Sequence, residues 1–409
     1  MQLVFELVME LSAISLDSQI RLRPLSKQLE NGVAIIGWGD EFLELPPEGL
    51  HFIAWLNEGL SLREARQRFE THYNPFPEDE VWEVVKAFWE SDFIAAVDGQ
   101  AVSPQLVPAS TQASWLPRAW AGALFSRPVL LAWMGVVIPA AILWVITPAL
   151  WPRLADYFWV DYNFVIILAG LLLWLVDMPL HELAHLLACR AKGIDASITW
   201  TQRLGFIPMS QTIMHNIWAA PRSARLLPLA AGMVWDVGRI SLLVYLLFFQ
   251  QVGWLVWPEL ATKFLKFYLL TSTLSLAAQF WLFSKMDGYF LLSALLGQRN
   301  LQADTYAWFK SKLSKMGHFD PSAGGMKFIY LYALVTILGG GLFMGQFFLV
   351  QLPIKLRLLW ESFLRISGST TLVSLEFGDG VAVLTSQVID LGLLAYAYWR
   401  ETWPSWRQS

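Results

Sequence analysis

The sequence contains a single cysteine, Cys189, in 409 residues. One thiol excludes an intrachain disulfide, and it excludes any metal site built from several cysteines. Charged residues are also scarce, at 15% of the chain, whereas soluble domains average about 25%. Because 56% of the residues are hydrophobic, the composition predicts a protein that places much of its surface in a membrane.

The N-terminal residues lack the basic stretch that opens a secretory signal. They read MQLVFELVMELSAISLDSQ and carry Glu6 and Glu10 among the apolar residues. We therefore interpret residues 1–18 as a lead segment rather than a signal peptide.

Long apolar runs are confined to the chain after residue 127. Several of them approach the length of about 20 residues that a transmembrane helix requires. They are Pro128–Leu150, Phe164–Cys189, Leu226–Phe249, Phe264–Phe283, Phe328–Val350 and Val381–Tyr398. The predicted fold is a polytopic α-helical membrane protein with about six transmembrane helices in residues 128–409.

Basic residues are unevenly distributed among the connections between these runs. The connections at 190–225 and 284–327 hold five and six lysine or arginine residues, whereas those after the first and third runs hold only Arg153 and Lys263. Basic connections stay in the cytosol. We therefore predict an integral protein of a prokaryotic cytoplasmic membrane with both termini cytosolic.

Residues 19–98 have a different pattern and are followed by a linker at 99–127 that is rich in Pro, Ser, Ala and Gln. Strands are predicted at Gln19–Leu25, Val33–Gly37, Glu41–Leu45 and Ile94–Val97, and helices at Gly49–Asn57, from Ser61 to His72, and at Glu78–Glu90. This order predicts an N-terminal α+β winged helix-turn-helix domain.

The N-terminal domain is acidic. Residues 19–98 hold 15 acidic and 7 basic side chains, which gives a net charge of −8. Phosphate backbones require the opposite sign, so nucleic acid is not expected as a partner. A winged helix that only packs on the membrane domain stays open as an alternative.

After the predicted strands, the stretches LHFIAWLNEGLSLREARQRF and PEDEVWEVVKAFWESDFIAAV resemble the PqqD-like domain. That family recognises leader peptides during the maturation of ribosomal peptides. The resemblance implies capture of an extended precursor peptide along a sheet edge, which is β-augmentation.

An HExxH motif lies inside the second apolar run, in LWLVDMPLHELAHLLACRAKG. His181 and His185 are four residues apart, so they share one face of a helix and can bind one metal ion. Glu182 can act as general base on a water molecule that the metal activates. Zn²⁺ suits this ligand set and requires a third protein ligand.

Two other interpretations fit the motif less well. The histidines could satisfy buried hydrogen bonds in a helix bundle, but an adjacent glutamate inside a membrane is costly without a function. A membrane di-iron oxygenase needs many more histidines than the six of this chain.

Asp287, in the stretch KMDGYFLL, is the best candidate for the third ligand. It follows the fourth apolar run and is predicted on the same side of the membrane as the HExxH motif. Gly288 permits a tight turn or a close backbone approach there. The alternative is that Asp287 caps a helix at the membrane interface.

The stretches HELAHLLACRAKG and KMDGYFLL, and more loosely RLLPLAAG, resemble the site-2 protease (M50) family of intramembrane zinc metalloproteases, in its peptide zinc metalloprotease branch. The resemblance implies that His181, His185 and Asp287 bind zinc and that Glu182 is the catalytic acid and base. It also implies a membrane-associated hairpin after the HExxH helix, for which Asp195–Met214 alternates partly as strands do.

Two positions depart from the family pattern. The family commonly has Asn eight residues and Pro five residues before the ligand aspartate, where this chain has Gln279 and Leu282. Gln279 keeps an amide that can bind substrate, whereas Leu282 is expected to remove a helix break.

Other polar residues in the apolar runs are assigned smaller roles. Asp177 lies one turn before His181 and is predicted either to support an imidazole or to bond across helices. Asp236 and Arg239 are three residues apart and are predicted to form a structural pair on one helix face.

Together these features predict a membrane-embedded zinc endopeptidase that cleaves a precursor peptide captured by its N-terminal domain, in ribosomal peptide maturation or export. Its expected partners are the precursor or leader peptide, the lipid bilayer, and export or modification machinery. Two alternatives stay open: regulated cleavage of a membrane-bound regulator, and a non-catalytic peptide-binding membrane scaffold. Binding of short precursor peptides by the N-terminal domain would favour maturation.

Overall fold

The computed structural model describes residues 14–30, 32–39, 41–102, 115–203, 207–299, 301–314, 326–369 and 371–406. The predicted lead segment up to residue 13 and the linker residues 103–114 lie outside the described residues. The described chain is mostly helical and divides into two compact units. The first holds the described residues up to Trp115 together with Lys192–Ser197 and Ile213–Arg225, and the second holds the rest.

The first unit is an assembly of short strands and helices. Its strands are β1 (Ile20–Leu22), β2 (Ser26–Glu30), β3 (Val33–Trp38), β4 (Glu41–Leu45), β5 (Ile94–Val97) and β6 (Gln100–Ala101). Its helices are α1 (Gly49–Asn57), α2 (Leu62–His72) and α3 (Glu78–Glu90). Two antiparallel sheets have the orders β1-β5-β6 and β2-β3-β4.

The predicted α+β composition of this unit is confirmed, and its three helices have the predicted bounds. The first predicted strand, Gln19–Leu25, is instead split into β1 and β2, which belong to different sheets. Pro24 lies at the split, and a residue without an N–H cannot continue a ladder. A buried core of apolar side chains from α1, α3 and the strands closes the unit, with Ile53 and Phe88 at zero exposure.

A later part of the chain completes the first unit beyond the predicted 19–98 boundary. The side chain of Arg225 is fully buried, and its Nη2 donates to Oε2 of Glu30 at 2.7 Å. Its guanidinium also lies 5.7 Å from the ring centroid of Trp218. The ion pair therefore joins strand β2 to a distant part of the chain within the first unit.

The second unit consists mainly of helices. They are α4 (Arg118–Leu124), α5 (Arg127–Ile146), α6 (Asn163–Lys192), α7 (Arg222–Gln251), α8 (Glu259–Ala278), α9 (Asp287–Leu296), α10 (Leu301–Ser314), α11 (Met326–Gln346), α12 (Leu352–Gly368) and α13 (Leu375–Trp406). Strands β7 (Ala196–Arg203) and β8 (Ile207–Met214) follow α6 and pair with each other. The predicted hairpin therefore exists, although its turn residues Gly205 and Phe206 lie outside the described residues.

Four helical stretches of the described chain are long and apolar enough to cross a membrane, namely Arg118–Ile146, Asn163–Lys192, Arg222–Gln251 and Lys327–Gly368. Six transmembrane helices are therefore not confirmed. The fourth predicted run forms most of α8, where two lysines and several hydroxyl residues lower the mean hydropathy. The sixth lies in α13, which carries several acidic residues along its length.

Helices α6 and α7 pack in opposite directions. Near the C-terminal end of α6, His185 contacts Pro228 in the first turns of α7. Two turns earlier on α6, Asp177 contacts Arg239, which lies later on α7. This antiparallel pairing places the HExxH motif against the N-terminal half of α7.

The connection between α8 and α9 brings the two helix ends into backbone contact. The N–H of Gly288 donates to the carbonyl oxygen of Gln279 at 3.0 Å, and a Cβ on Gly288 would lie 2.6 Å from that oxygen. Only glycine fits this approach, as the sequence predicted. The expectation that Leu282 removes a helix break is wrong, because α8 ends at Ala278 and Leu282 lies in a short 3₁₀ turn.

Candidate metal centre

Three predicted ligands converge at one point in the second unit. The Nε2 atoms of His181 and His185 lie 3.2 Å apart, and Oδ2 of Asp287 lies 2.8 Å and 2.9 Å from them. Both imidazoles are buried, and Asp287 is the first residue of α9. Zinc bonds of about 2.0–2.1 Å in a tetrahedron place ligand atoms roughly 3.3 Å apart. The donor set therefore fits a metal ion after a small outward movement.

The second nitrogen of each ring fixes the orientation of the first. Nδ1 of His181 lies 2.9 Å from Oδ2 of Asp236, and Nδ1 of His185 lies 2.6 Å from the carbonyl oxygen of Pro228. A carboxylate and a carbonyl only accept hydrogen bonds, so both Nδ1 atoms carry the proton. With a metal ion between them and Asp287, both Nε2 atoms would present their lone pairs to that ion.

Helix α7 leaves space for this position because residue 232 is glycine. A Cβ built on Gly232 would overlap Nε2 of both His181 and His185. The backbone of α7 thus forms the floor beneath the two imidazoles. Any side chain larger than hydrogen at position 232 would fill the space next to the two Nε2 atoms. This space therefore suits an ion between the rings.

Glu182 is buried next to the ligands and is held by the hairpin. The backbone N–H and the hydroxyl of Thr212 in β8 each donate to Oε2 of Glu182 at 2.7 Å. The N–H of Ser210, two residues earlier on β8, points to the sulfur of Met178, one turn earlier on α6. Two strand residues rise about 6.6 Å and four helical residues about 6 Å, so the strand follows the helix in register.

A cavity of about 170 Å³ opens beside His181 and Glu182. It follows one face of α6 and is bounded by α7 and α8, and its polar lining from α8 includes Thr271, Ser272, Ser275 and Gln279. The hydroxyl of Ser272 is buried without a hydrogen-bond partner in the described part of the chain. Gln279 lies on this wall, and the role of its amide toward a substrate stays a prediction.

The structure separates the two aspartates that were considered near His181. Asp177 accepts a hydrogen bond from the hydroxyl of Tyr268 at 2.6 Å and pairs with Arg239 at 2.5 Å, and it contacts neither imidazole. The imidazole is supported by Asp236, which does form the predicted pair with Arg239 at 3.0 Å. Of the two predicted roles for Asp177, bonding across helices is therefore the observed one.

Sequence reasoning missed three residues that shape the site. Nothing in the sequence around Thr212 indicates a role in the site, apart from the strand-like alternation of the stretch that contains it. Pro228 and Gly232 both lie in the stretch RLLPLAAG. Their contributions are a backbone carbonyl and a missing side chain, so no side-chain chemistry marked either position.

No family model, curated protein or solved structure matches this chain. A function for this protein is therefore inferred from the geometry of the described residues.

Proposed function

We propose that this protein is a membrane-embedded zinc endopeptidase, similar in its site to the site-2 proteases. The convergence of His181, His185 and Asp287, which are up to 106 residues apart in sequence, is the observation that carries the proposal. Two imidazoles and one carboxylate are a ligand set of catalytic zinc sites, which keep the fourth position for water or substrate. Glu182 lies in the same buried site.

The chain's own residues supply the acid–base chemistry of peptide hydrolysis. Zn²⁺, when bound by the two histidines and Asp287, polarises the scissile carbonyl as a Lewis acid. Glu182 takes a proton from the attacking water as the new C–O bond forms. It then delivers that proton to the amine nitrogen as the C–N bond breaks. Gln279, on the cavity wall, donates its amide hydrogens to the substrate backbone.

We further propose that the first unit, as a PqqD-like winged helix-turn-helix domain, captures the substrate. A groove of about 590 Å³ lies between strand β4 and helices α1, α2 and α3. Strand β4 pairs with β3 on one side only in the described residues, so its other edge can accept an extended peptide.

The groove combines an apolar floor with an acidic rim. Phe52, Phe69 and Phe76 form edge-to-face or tilted ring pairs with centroids 5.0–6.3 Å apart. The rim carries Glu44, Glu48, Glu80 and Glu83. Charge complementarity therefore favours a peptide with an apolar side chain between lysine or arginine residues.

We also propose that α8 crosses the membrane in addition to the four apolar stretches. Along α7 the chain leads away from the metal centre as far as Gln251, and it is back at the centre by Asp287. Helix α8 connects the two and has 20 residues, which is about 30 Å of helix and matches the hydrocarbon core. The basic connections favour a cytosolic location for both termini.

The decisive experiment pairs metal content with cleavage. Full-length protein in detergent is analysed for zinc and incubated with a pool of quenched fluorogenic peptides that each hold an apolar run flanked by lysines. Wild type is expected to hold one zinc ion and to cleave, and Glu182→Gln is expected to keep zinc and lose cleavage. Full cleavage by Glu182→Gln, or wild type without zinc, would contradict the proposal.

Peptide capture is tested by charge reversal in the groove. Glu80→Lys/Glu83→Lys should weaken binding of a labelled lysine-flanked peptide by at least about tenfold, because two favourable charge contacts become repulsive. The matched control, Asp79→Lys/Glu90→Lys, makes the same charge change on α3 outside the groove lining. Equal weakening in both variants would mean that net charge alone attracts the peptide.

A further inference from the structure

The two imidazoles of the metal centre differ in what holds them. His185 donates to a neutral backbone carbonyl, whereas His181 donates to the carboxylate of Asp236 at 2.9 Å. A carboxylate partner makes an imidazole a stronger ligand and fixes its ring more firmly than a neutral acceptor does. Asp236 therefore supports His181 with a charge, whereas no described residue supports Nδ1 of His185 in this way.

Asp236 is itself held in a network that joins three helices. Its other oxygen, Oδ1, accepts from Arg239 at 3.0 Å on the same helix. Arg239 also pairs with Asp177 on α6, and Asp177 accepts from the hydroxyl of Tyr268 on α8. The side chain of Asp236 is only 3% exposed, and a buried carboxylate is stable only with such partners.

The charges of this cluster complement a divalent cation. Asp287, Asp236 and Asp177 contribute three negative charges, and Arg239 contributes one positive charge. With neutral imidazoles these four side chains sum to −2, and the buried carboxylate of Glu182 beside them brings the site to −3, most of which one Zn²⁺ would offset. A buried cluster with uncompensated charge is costly, so the network suits the loaded centre.

We infer that Asp236 is a positioning residue of the metal centre and that Arg239 and Asp177 hold it in place. Its carboxylate keeps the proton of His181 on Nδ1 and thereby keeps Nε2 free for the metal. This inference rests on the proposed zinc site and adds a residue to it that the HExxH motif and Asp287 do not include.

The test measures metal affinity and needs no substrate. Full-length protein in detergent is titrated with Zn²⁺ and with Co²⁺ against a chelator of known affinity. Asp236→Asn keeps the shape and removes the charge, and it should weaken binding by about 10–100-fold. Asp236→Ala should weaken it at least as much. Tyr268→Phe, which removes only the hydroxyl at the far end of the network, should have a smaller effect in the same direction.

The matched control is Asp379→Asn. Asp379 is also a buried aspartate paired with an arginine, Arg365, but it bonds to the start of α6 rather than to an imidazole. This variant should lower thermal stability and leave metal affinity unchanged. Equal metal loss in Asp379→Asn and Asp236→Asn would reduce Asp236 to a structural role and overturn the inference.

The outcomes separate this inference from the proposed function. If wild type binds zinc tightly and folded Asp236→Asn binds it equally well, only the positioning role fails. If wild type binds no zinc, or if His181→Ala binds as wild type does, the zinc site itself fails. The Co²⁺ absorption spectrum adds a second readout, since a displaced His181 ring changes its bands even in a variant that retains metal.

Discussion

Residue 232 contributes to the metal centre by having no side chain. The floor under His181 and His185 is the backbone of α7, and it comes so close that a methyl group would overlap both ring nitrogens. Close approach of helix backbone to a ligand site is a common use of glycine. The rings are thus supported from below by the same helix that orients them through Pro228 and Asp236.

Gly232→Ala should therefore abolish metal binding or weaken it by at least about a hundredfold, since the new Cβ displaces both imidazoles. Zinc content of the purified full-length variant is the measurement. Gly340→Ala is the control, because a Cβ at that position of α11 meets no atom within 4 Å. Normal zinc content in Gly232→Ala would show that the backbone of α7 leaves room for a methyl group beside the two imidazoles.

Thr212 should govern the rate of cleavage rather than the binding of metal. Hydrogen bonds to a charged group are worth about 1.5–3 kcal/mol, so loss of the hydroxyl should lower kcat by about tenfold or more. Thr212→Val has nearly the same shape without the hydroxyl, and Thr212→Ser keeps it. Valine should lower kcat at unchanged zinc content and KM, and serine should restore the rate. Equal rates in both variants would remove the hydroxyl from the mechanism.

At the scale of single elements, local chemistry sets the ends of helices in the first unit. Ser61 caps α2 by accepting from the N–H of Glu64, while the carboxylate of Glu64 accepts from the N–H of Ser61. This reciprocal pair satisfies two donors that the first helical turn leaves open. Its stability contribution is local to α2.

Ser61→Ala should destabilise α2 by about 1 kcal/mol. Hydrogen exchange of the amides in α2, measured by mass spectrometry on the full-length protein, should become several-fold faster. Gln67→Ala, on the exposed face of the same helix, is the control and should leave exchange unchanged. Faster exchange in both variants would point to general loss of helix stability instead of loss of the cap.

The cap also has a defined pH dependence. Hydrogen bonds from the backbone and the hydroxyl of Ser61 hold the pKa of Glu64 below its ordinary value of 4.5. A carboxyl group whose pKa is lower in the folded state stabilises that state at a pH above its ordinary pKa. The contribution is lost as the pH falls through the folded-state pKa. Protection of α2 should therefore be constant near neutral pH and fall below about pH 4.5 in wild type more than in Glu64→Gln.

Helix α8 carries a polar face toward the cavity beside the metal centre. Ser275 lines that cavity, whereas Ala277 is exposed on another side of the same helix. A cavity that holds water should let a charged thiol reagent reach a cysteine at 275, and lipid should exclude the reagent from 277. Because Cys189 is buried and is the chain's single cysteine, a Cys189→Ala background gives no competing signal.

The prediction is that Ser275→Cys reacts with a membrane-impermeant methanethiosulfonate in native membranes and that Ala277→Cys does not. The readout is the mass of the labelled protein. Reaction at neither position would mean that the cavity is closed to water, and reaction at both would mean that α8 does not lie in lipid.

At the scale of the whole molecule, the second unit presents many apolar side chains to its surroundings. The most apolar 18-residue window of the stretch Arg118–Ile146 has a mean hydropathy of 2.5, and only 6% of that window is buried within the described chain. A surface of that kind suits a covering of lipid. The candidate metal centre lies in the unit that carries this surface.

Orientation is testable with single exposed cysteines. Val256, between α7 and α8, is 92% exposed, and Leu29 in the first unit is 58% exposed. In intact cells, Val256→Cys should react with an impermeant maleimide and Leu29→Cys should react only after lysis. The reverse pattern would place the first unit outside the cell and contradict a cytosolic groove.

The sequence was most informative where a function or an element depends on neighbouring residues. The cap at Ser61, the bounds of α1 to α3 and the common face of His181 and His185 all follow from local spacing. Pairing across helices could not be predicted this way. Asp177 lies one helical turn from His181, yet packing of α6 against α7 gives His181 the carboxylate of Asp236 instead. Hydropathy likewise gave no sign that Thr271, Ser272 and Ser275 of α8 share a face that lines the cavity.

The distance in sequence between the ligands has a consequence for how the protein is made. The ribosome completes His181 and His185 about a hundred residues before Asp287, so a growing chain carries two ligands without the third. Metal binding is coupled to folding where a site forms only in the finished structure. The nascent chain therefore stays without its complete ligand set until α7, α8 and the start of α9 have been synthesised.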